Sequence, residues 1–146
     1  VPIANYAISF WARTVIISDT VTTTAIEFSG GMIDFKNSTG GPSSPNELHF
    51  AGGVFTLSSY GGWDHYVLNV ESDGTTANLT IFQNGQIIGT SNSAASDLST
   101  GNFSVCSNLS GAIGKFRGAI DSLGIWRRAL SFDEISYLYN THTSLD

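Results

Sequence analysis

Charged side chains crowd one short stretch near the C-terminal end of the chain. Residues 116–135 read FRGAIDSLGIWRRALSFDEI, and their charged members are Arg117, Asp121, Arg127, Arg128, Asp133 and Glu134. Paired carboxylates carry out glycoside hydrolysis, in which one protonates the leaving oxygen and the other acts as nucleophile or base. The stretch is therefore either a candidate active site or a charged structural element.

Two of the three acids in this stretch have predicted structural roles. Ser131 followed three residues later by Glu134 predicts a helical capping box, with Leu130 and Ile135 as its hydrophobic staple. Asp133 then lies in the first helical turn, where the helix dipole favours an anion. The apolar face of this predicted short helix comprises Ile135, Leu138 and Tyr139. The pattern favours the structural interpretation.

Other reactive side chains do not form a recognisable motif. His49, His65 and His142 are dispersed, and no His-x-x-x-His or Cys-x-x-Cys spacing indicates a zinc site. No Gly-x-Ser-x-Gly elbow is present, although a Ser-His-Asp triad assembled in space stays open. Cys106 is single, which predicts a small apolar side chain or, alternatively, a thiol with a partner elsewhere.

The composition limits the class of protein. A chain of 146 residues with 41% apolar side chains can form one domain with a core. Only 12% of the residues are charged, and the net charge of −6 gives no basic surface for nucleic acid. No apolar run is long enough to insert into a membrane. The chain begins with Val1, from which we expect a domain within a longer product.

Short β-strands should supply most of the fold. Turn signals recur every 9 to 12 residues, at Gly30-Gly31, Gly40-Gly41, Gly52-Gly53, Gly61-Gly62, Asp73-Gly74 and Asn84-Gly85. The runs between them alternate or are rich in β-branched residues, as in YAISFWART, YVLNVES and ANLTIFQN. Asn84-Gly85 predicts a type I′ hairpin. In GAIDSLGIW the apolar phase changes, which predicts a bulge near Asp121 and Ser122.

Three segments carry a resemblance to a known family. They are ISFWART, then GGWDHYVLNV with LTIFQNGQIIGT, and finally IGKFRGAIDSLGIWRRALSFDEISYLY. Together they resemble concanavalin A-like jelly-roll domains of the laminin G and pentraxin type, over roughly residues 6 to 139. The resemblance implies an all-β fold of two antiparallel sheets in a sandwich, one of them concave, with one short helix near the C-terminus. We accordingly predict a single laminin G-like jelly-roll domain over residues 1–146.

The resemblance brings expectations about metal and catalysis. Pentraxins bind calcium with acids and amides just before the last strand, but the chain has no carboxylate between Asp97 and Asp121. Calcium therefore remains an alternative to no cofactor at all, through the scattered acids Asp19, Asp34, Asp73 and Asp97. Hydrolases of this fold place their acids as Glu-x-Asp-x-x-Glu, and no such spacing occurs. We predict no enzymatic activity, with Asp121 as a buried hydrogen-bond acceptor at the bulge.

Surface aromatic residues indicate binding. In SSYGGWDHY, Tyr60 and Trp63 flank a glycine pair and are the predicted ligand-binding residues, because sugar rings stack on exposed aromatic rings. Trp11 and Trp126 are expected to pack on the core or the helix. Four Asn-x-Ser/Thr sequons are glycosylation candidates, at Asn37, Asn78, Asn102 and Asn108.

The leading hypothesis is a non-catalytic extracellular module that binds glycans or a protein partner. The alternative is a structural subunit that self-associates into an extracellular filament, coat or appendage. Two further expectations concern interfaces. Only VPIA remains of the first strand usual in the family, which predicts an unpaired sheet edge along Ile3 to Ala7. We expect neighbouring chain or another subunit to cover that edge. If Phe103 and Val105 face the core, Cys106 faces outward and is paired or covered by an interface.

Overall fold

Antiparallel strands followed by one helix make up the described part of the chain. The computed structural model describes residues 5–14, 22–28, 31–37, 46–73, 75–94, 103–106 and 116–142. The strands are β1 Tyr6–Thr14, β2 Thr23–Phe28, β3 Gly31–Asn37, β4 Asn46–Phe50, β5 Gly53–Thr56, β6 Trp63–Ser72, β7 Thr76–Gln83, β8 Gln86–Ala94, β9 Ser104–Val105 and β10 Gly118–Trp126. The helix, α1, spans Phe132–Thr141.

The strands form two five-stranded sheets. Sheet A has the order β10-β1-β6-β7-β8, and sheet B has the order β5-β4-β3-β2-β9. All the strand pairs are antiparallel. The predicted all-β two-sheet jelly-roll sandwich with one short C-terminal helix is confirmed. Among the described helices, none is long and apolar enough to span a bilayer.

The core lies between the two sheets and follows from the alternation of the strands. Every second side chain of β1 faces inward, at Tyr6, Ile8, Phe10 and Ala12, and all four are fully buried. Tyr66 of β6 links the sheets, because its ring stacks on Phe10 at 5.5 Å and meets Phe35 of sheet B edge-on at 5.3 Å.

A smaller apolar cluster fixes the helix on the outer face of sheet A. Leu130 and Ile135 are buried there against Ala7, Val67 and Phe82 of three adjacent strands. These two residues are the predicted staple, and their burial in one cluster confirms it. The helix therefore covers one outer face of the sandwich, and no described helix lies over the outer face of sheet B.

Two predicted irregularities are present. Asn84 and Gly85 both have positive φ, 51° and 77°, and Gln83 pairs with Gln86 across them, as a two-residue I′ hairpin requires. Between the pairs Ser9–Gly124 and Trp11–Asp121, β10 has one residue more than β1. The bulge expected near Asp121 and Ser122 is thus confirmed.

The predicted unpaired edge is wrong for the part of it that is described. Ala7 pairs with Asn69 of β6 on one side and with Trp126 of β10 on the other. Strand β10 occupies the position beside β1 at which we expected an open edge. In the described part of sheet A the outer strands are β10 and β8, while Ile3 lies outside the described residues.

The expected orientation of Cys106 is also wrong. Phe103 and Val105 are exposed, at 40% and 42%, whereas Cys106 is half-buried and packs against the main core. The strand β9 is only two residues long, and Cys106 has a φ of 64° as the chain leaves it, so strand alternation does not extend to the thiol. Burial raises the pKa of the Cys106 thiol. The interpretation as a small apolar side chain fits this position.

Candidate functional site

The candidate site includes Trp126, which is the last residue of β10. An added Cβ on Gly124 would fall well inside van der Waals contact of the Trp126 ring, so the indole lies flat across this glycine on the outer face of sheet A. Trp126 also packs against the cluster that contains Leu130 and Ile135. Packing on the helix side was expected for Trp126, and it is confirmed.

A buried amide fixes the turn that leads from β10 to the helix. Asn69 of β6 accepts a hydrogen bond from the backbone N–H of Leu130 at 3.0 Å and donates one to the Leu130 carbonyl at 2.8 Å. Both main-chain groups of Leu130 are thereby satisfied below the surface. The Asn69 side chain thus sets where the chain turns, and hence where the helix starts.

The predicted capping box is present and includes an arginine. Ser131 Oγ accepts from the backbone N–H of Glu134, and Glu134 Oε2 accepts from the N–H of Ser131 at 2.8 Å. Arg128 donates to both carboxylate oxygens of Glu134, at 2.8 and 2.5 Å. The Arg128 hydrogen bond, followed by that of Ser131, lowers the pKa of Glu134 to about 2. The same pair raises the pKa of Arg128.

These elements line an open cavity of about 350 Å³, which we call the aromatic pocket. Its lining residues are Trp126, Arg128, Leu130, Asp133, Glu134, Tyr137 and Leu138. Trp126 and Tyr137 supply the aromatic surfaces, and Tyr137 is 68% exposed. The volume lies at the lower end of the range for small-ligand sites, about 300–1,000 Å³. The arrangement offers ring surfaces for stacking beside charged hydrogen-bonding groups.

Glu134 does not suit the role of a general acid in hydrolysis. A general acid must be protonated near the working pH, and a carboxyl group with a pKa of about 2 is ionised there. Asp121 accepts a hydrogen bond from the backbone N–H of Ser122 at 2.7 Å, which confirms its predicted role at the bulge. Its side chain is 44% exposed, so the expectation of a buried acceptor is wrong. The bulge turns that carboxylate toward the surface.

A second, smaller cavity lies under the C-terminal end of the helix. It measures about 170 Å³, and its lining includes Ser9, Trp11, His65, Ser122 and His142. Ser9 Oγ lies 2.8 Å from His65 Nε2, but Nδ1 of His65 is buried without a partner in the described part of the chain. A catalytic triad needs an acid at that nitrogen. His65 therefore does not form the Ser-His-Asp triad that the sequence left open, among the described residues.

His65 is a buried neutral side chain. Its ring is 1% exposed and packs against Trp11 at 5.2 Å and Tyr139 at 6.3 Å. Burial, with a smaller effect of His142, lowers the pKa of His65 to about 4. Trp11 packs on the helix through Tyr139, as expected. This second cavity is accordingly a packing region between the helix and sheet A.

The outer face of sheet B brings together polar residues that are distant in the sequence. The register places Thr24, Asp34, His49 and Val54 in one row across four strands. His49 Nε2 lies 2.8 Å from Glu47 Oε2. We call this surface the polar face of sheet B. The sequence analysis did not predict this grouping.

Asp34 is the unusual acid of the polar face of sheet B. Burial raises its pKa, opposed by a hydrogen bond from Thr24 and by the charge of His49, while Glu27 adds to the rise. Its Oδ1 is buried without a hydrogen-bond partner in the described part of the chain. The carboxylate is thus less well satisfied than that of Glu134.

A comparison with models of protein families identifies the family of this chain. A family model described as the concanavalin A-like lectin/glucanases superfamily matches residues 1–136. The chain belongs to this superfamily. None of the curated proteins matches the chain in sequence.

Solved structures show the same fold at low sequence identity. A candidate carbohydrate binding protein from Bacteroides ovatus is 14% identical with a TM-score of 0.66, and the match covers 93% of this chain and 41% of that one. The CBM40 domain of the Ruminococcus gnavus IT-sialidase, bound to α2,3-sialyllactose, is 17% identical, with a TM-score of 0.65 and coverage of 93% and 83%.

The heptameric SAP-like pentraxin of Limulus polyphemus is 12% identical with a TM-score of 0.56, and coverage is 95% of this chain and 71% of that one. The predicted resemblance to the concanavalin A-like, laminin G and pentraxin type is thus confirmed. The chain spans less than half the length of the Bacteroides ovatus protein.

Of the two residues predicted to bind a ligand, Tyr60 lies in the loop before β6 of this concanavalin A-like domain and Trp63 is the first residue of β6. Tyr60 is half-buried against the main core, and Trp63 carries the Arg13 guanidinium 5.6 Å above its ring. Gln83 holds the loop through Ser58, and neither Tyr60 nor Trp63 lines the aromatic pocket. Their binding role stays a prediction.

The acids suggested for calcium are not grouped in the described structure. Asp34 belongs to sheet B, whereas Asp73 follows β6 of sheet A and accepts from the N–H groups of Thr75 and Thr76. These two do not fit one calcium site, and Asp19 and Asp97 lie outside the described residues. Within the described part, no three acid, histidine or cysteine side chains are placed to hold a metal ion.

The glycosylation candidates differ in exposure. Asn78 faces outward on β7, as its alternation with Leu79 predicts. Asn37 is only 1% exposed, which places its amide below the surface. Asn102 and Asn108 lie outside the described residues. Glycan attachment at any of these positions stays a prediction that an intact-mass measurement tests.

Proposed function

We propose that this domain is a non-catalytic extracellular module that binds glycans in the aromatic pocket. The observation that carries the proposal is a cavity of about 350 Å³ whose lining includes both Trp126 and Tyr137 beside hydrogen-bonding charges. Sugars present apolar C–H faces and hydroxyl rims, and such sites satisfy both. Two of the neighbours described above are named for carbohydrate binding, which supports the glycan over a protein partner.

Three features support the rest of the assignment. Glu134 is ionised near neutral pH and serves the helix cap, which argues against its acting as a general acid. The low share of charged residues and the four sequons fit an extracellular protein. Calcium is proposed only as an alternative, since the described acids do not converge on one point.

A glycan array tests the function directly. The 146-residue chain is screened with and without calcium, and isothermal titration of the strongest ligands gives the affinity. Binding without calcium is the expected result, and binding only with calcium would assign the cofactor. A folded protein that binds no glycan under either condition would contradict the proposal.

A second candidate is self-association at one side of the sandwich. Strand β5 contacts β8 at one side, so β9 and β10 are the outer strands at the other. The exposed apolar side chains there are Val105 of β9, Leu123 and Ile125 of β10, and Phe103 just before β9. Apolar side chains on outer strands favour pairing with another chain. Light scattering across a concentration series tests it, since a strict monomer at every concentration would exclude assembly.

A further inference from the structure

The charges of the aromatic pocket restrict what kind of sugar can enter it. Its lining includes one cation, Arg128, and two anions, Asp133 and Glu134, so the formal sum is +1 − 2 = −1. Arg127, the neighbouring cation, is exposed and does not line the cavity. A sugar that carries a carboxylate would therefore need Arg128 as its partner.

Arg128 already has a partner. Its two terminal nitrogens donate to the two carboxylate oxygens of Glu134, which uses the fork that would otherwise grip a ligand carboxylate. Glu134 is itself fixed by the N–H of Ser131 in the capping box. An acidic sugar would have to displace a carboxylate that three hydrogen bonds hold in place.

We propose that Glu134 makes the aromatic pocket selective for neutral sugars by occupying the guanidinium of Arg128. This inference rests on the proposed function and names its ligand class. It separates the chain from the CBM40 neighbour, whose ligand, sialyllactose, is acidic. Glu134 then both caps the helix and excludes acidic sugars, so specificity and capping depend on the same side chain.

Matched pairs of sugars test the wild-type chain. Lactose is compared with 3′-sialyllactose, and a neutral xylo-oligosaccharide with its glucuronic acid-substituted form, by titration calorimetry at low salt. The acidic member should bind about five-fold more weakly, which is the effect of one like charge about 4 Å away in water. Equal or tighter binding of the acidic member would overturn the inference and leave the proposed function intact. Failure of every sugar on these pairs and on the array would refute both.

Two single substitutions separate the charge from the pairing. Glu134→Gln keeps a side chain that a capping box accepts, and it frees Arg128. Asp133→Asn removes the same amount of charge from the pocket but leaves Arg128 paired. We expect Glu134→Gln to bind the acidic member at least five-fold more tightly than the neutral one. Asp133→Asn should weaken the discrimination without reversing it.

A double variant tests whether the gain in affinity for the acidic sugar comes from Arg128. In Glu134→Gln combined with Arg128→Gln, the preference for the acidic sugar should disappear, so that the ratio of the two affinities in each pair returns toward one. Thermal unfolding of each variant shows whether it is folded. If Glu134→Gln binds the neutral sugar but gains no affinity for the acidic one, or if Asp133→Asn gains as much, Glu134 does not set the specificity.

Discussion

The two outer faces of the sandwich differ in what covers their polar side chains. On sheet A the helix covers Ser9, His65 and Asn69, and each of them is nine-tenths or more buried with a hydrogen-bond partner. On sheet B no described helix covers Asp34 and His49, and both are only partly buried. Each face has one buried polar atom without a described partner, Nδ1 of His65 and Oδ1 of Asp34, so the faces differ in their cover.

The difference shows what the helix contributes. By removing His65 from water the helix favours the neutral ring, and Asn69 of β6 fixes the turn in front of the pocket by binding Leu130. The polar face of sheet B has charges and no comparable enclosure. We infer that the covered face holds a pocket of defined shape, and each substitution below tests that contrast.

Loss of the Asn69 side chain should have the largest effect. Asn69→Ala leaves the N–H and carbonyl of Leu130 without partners, and each buried orphan costs about 1–3 kcal/mol. We expect the free energy of unfolding to fall by about 2–4 kcal/mol in urea titrations at pH 7. Asn78→Ala, at an exposed position of the neighbouring strand, is the control and should change it by less than about 0.5 kcal/mol. Equal effects would mean that the amide does not fix the turn.

Protonation of His65 should give the next largest effect. Its pKa is about 4 in the fold and 6.5 when unfolded, so between these values the unfolded chain binds more protons. Stability should be complete above pH 6.5 and fall as the pH drops toward 4, by at most about 3 kcal/mol.

Two histidine variants test whether His65 causes this pH dependence of the unfolding free energy. His65→Gln removes the titrating group and should flatten the unfolding free energy between pH 6.5 and 4, whereas His49→Gln on the uncovered face should leave the slope in place. An unchanged slope in His65→Gln would assign the pH dependence to another group, such as His142.

The sequence predicted the fold because local signals and the global pattern agreed. The strand β1 was predicted with its observed bounds, since YAISFWART has an apolar residue at every second position from Tyr6 to Ala12. The capping box and the Asn84-Gly85 turn were predicted because each depends on residues within four positions. Where a pattern was too short to alternate, at the two-residue strand β9, the orientation of Cys106 was predicted wrongly.

The aromatic pocket was not predicted because contacts between residues distant in the sequence form it. Trp126 and Tyr137 line one cavity because the chain folds back over sheet A, and the turn is fixed by Asn69, which is 61 residues from Leu130. One signal was readable: Asp133 and Tyr137 are four residues apart, and so share one face of the predicted helix. On sheet B, Asp34 and His49 are opposite by register, and the connection over residues 38–45 was too long to fix that register.

A methyl group on Gly124 should disturb the pocket at an intermediate level. The new Cβ would collide with the Trp126 ring, and overpacking of this kind costs about 1–3 kcal/mol. We expect Gly124→Ala to lower both the unfolding free energy and the affinity for the array ligand. At Gly62 an added Cβ meets nothing within 4 Å, so Gly62→Ala is the matched control. Normal affinity in Gly124→Ala would show that the position of the indole does not matter.

Removal of the Tyr137 ring should weaken binding without affecting stability. This side chain is 68% exposed, so Tyr137→Ala should shift the unfolding free energy by less than about 0.5 kcal/mol. Loss of one stacking surface should reduce glycan affinity about ten-fold, equivalent to about 1.4 kcal/mol. Tyr60→Ala and His49→Gln are titrated in parallel. Should either of them lose the affinity while Tyr137→Ala keeps it, the binding site lies on another surface.

The smallest effect is expected on the uncovered face. Burial raises the pKa of Asp34, so ionisation of this carboxyl opposes folding at neutral pH, and its contribution to stability grows as the pH falls. Asp34→Asn removes the charge and can still accept from Thr24, and we expect a gain of about 0.5 kcal/mol at pH 7 after allowing for solvent screening. Asp73→Asn should act in the opposite direction, because two backbone N–H groups bind that carboxylate and lower its pKa. A loss of stability in Asp34→Asn, measured by urea unfolding at pH 7, would mean that the polar face of sheet B is tied as firmly as the covered one.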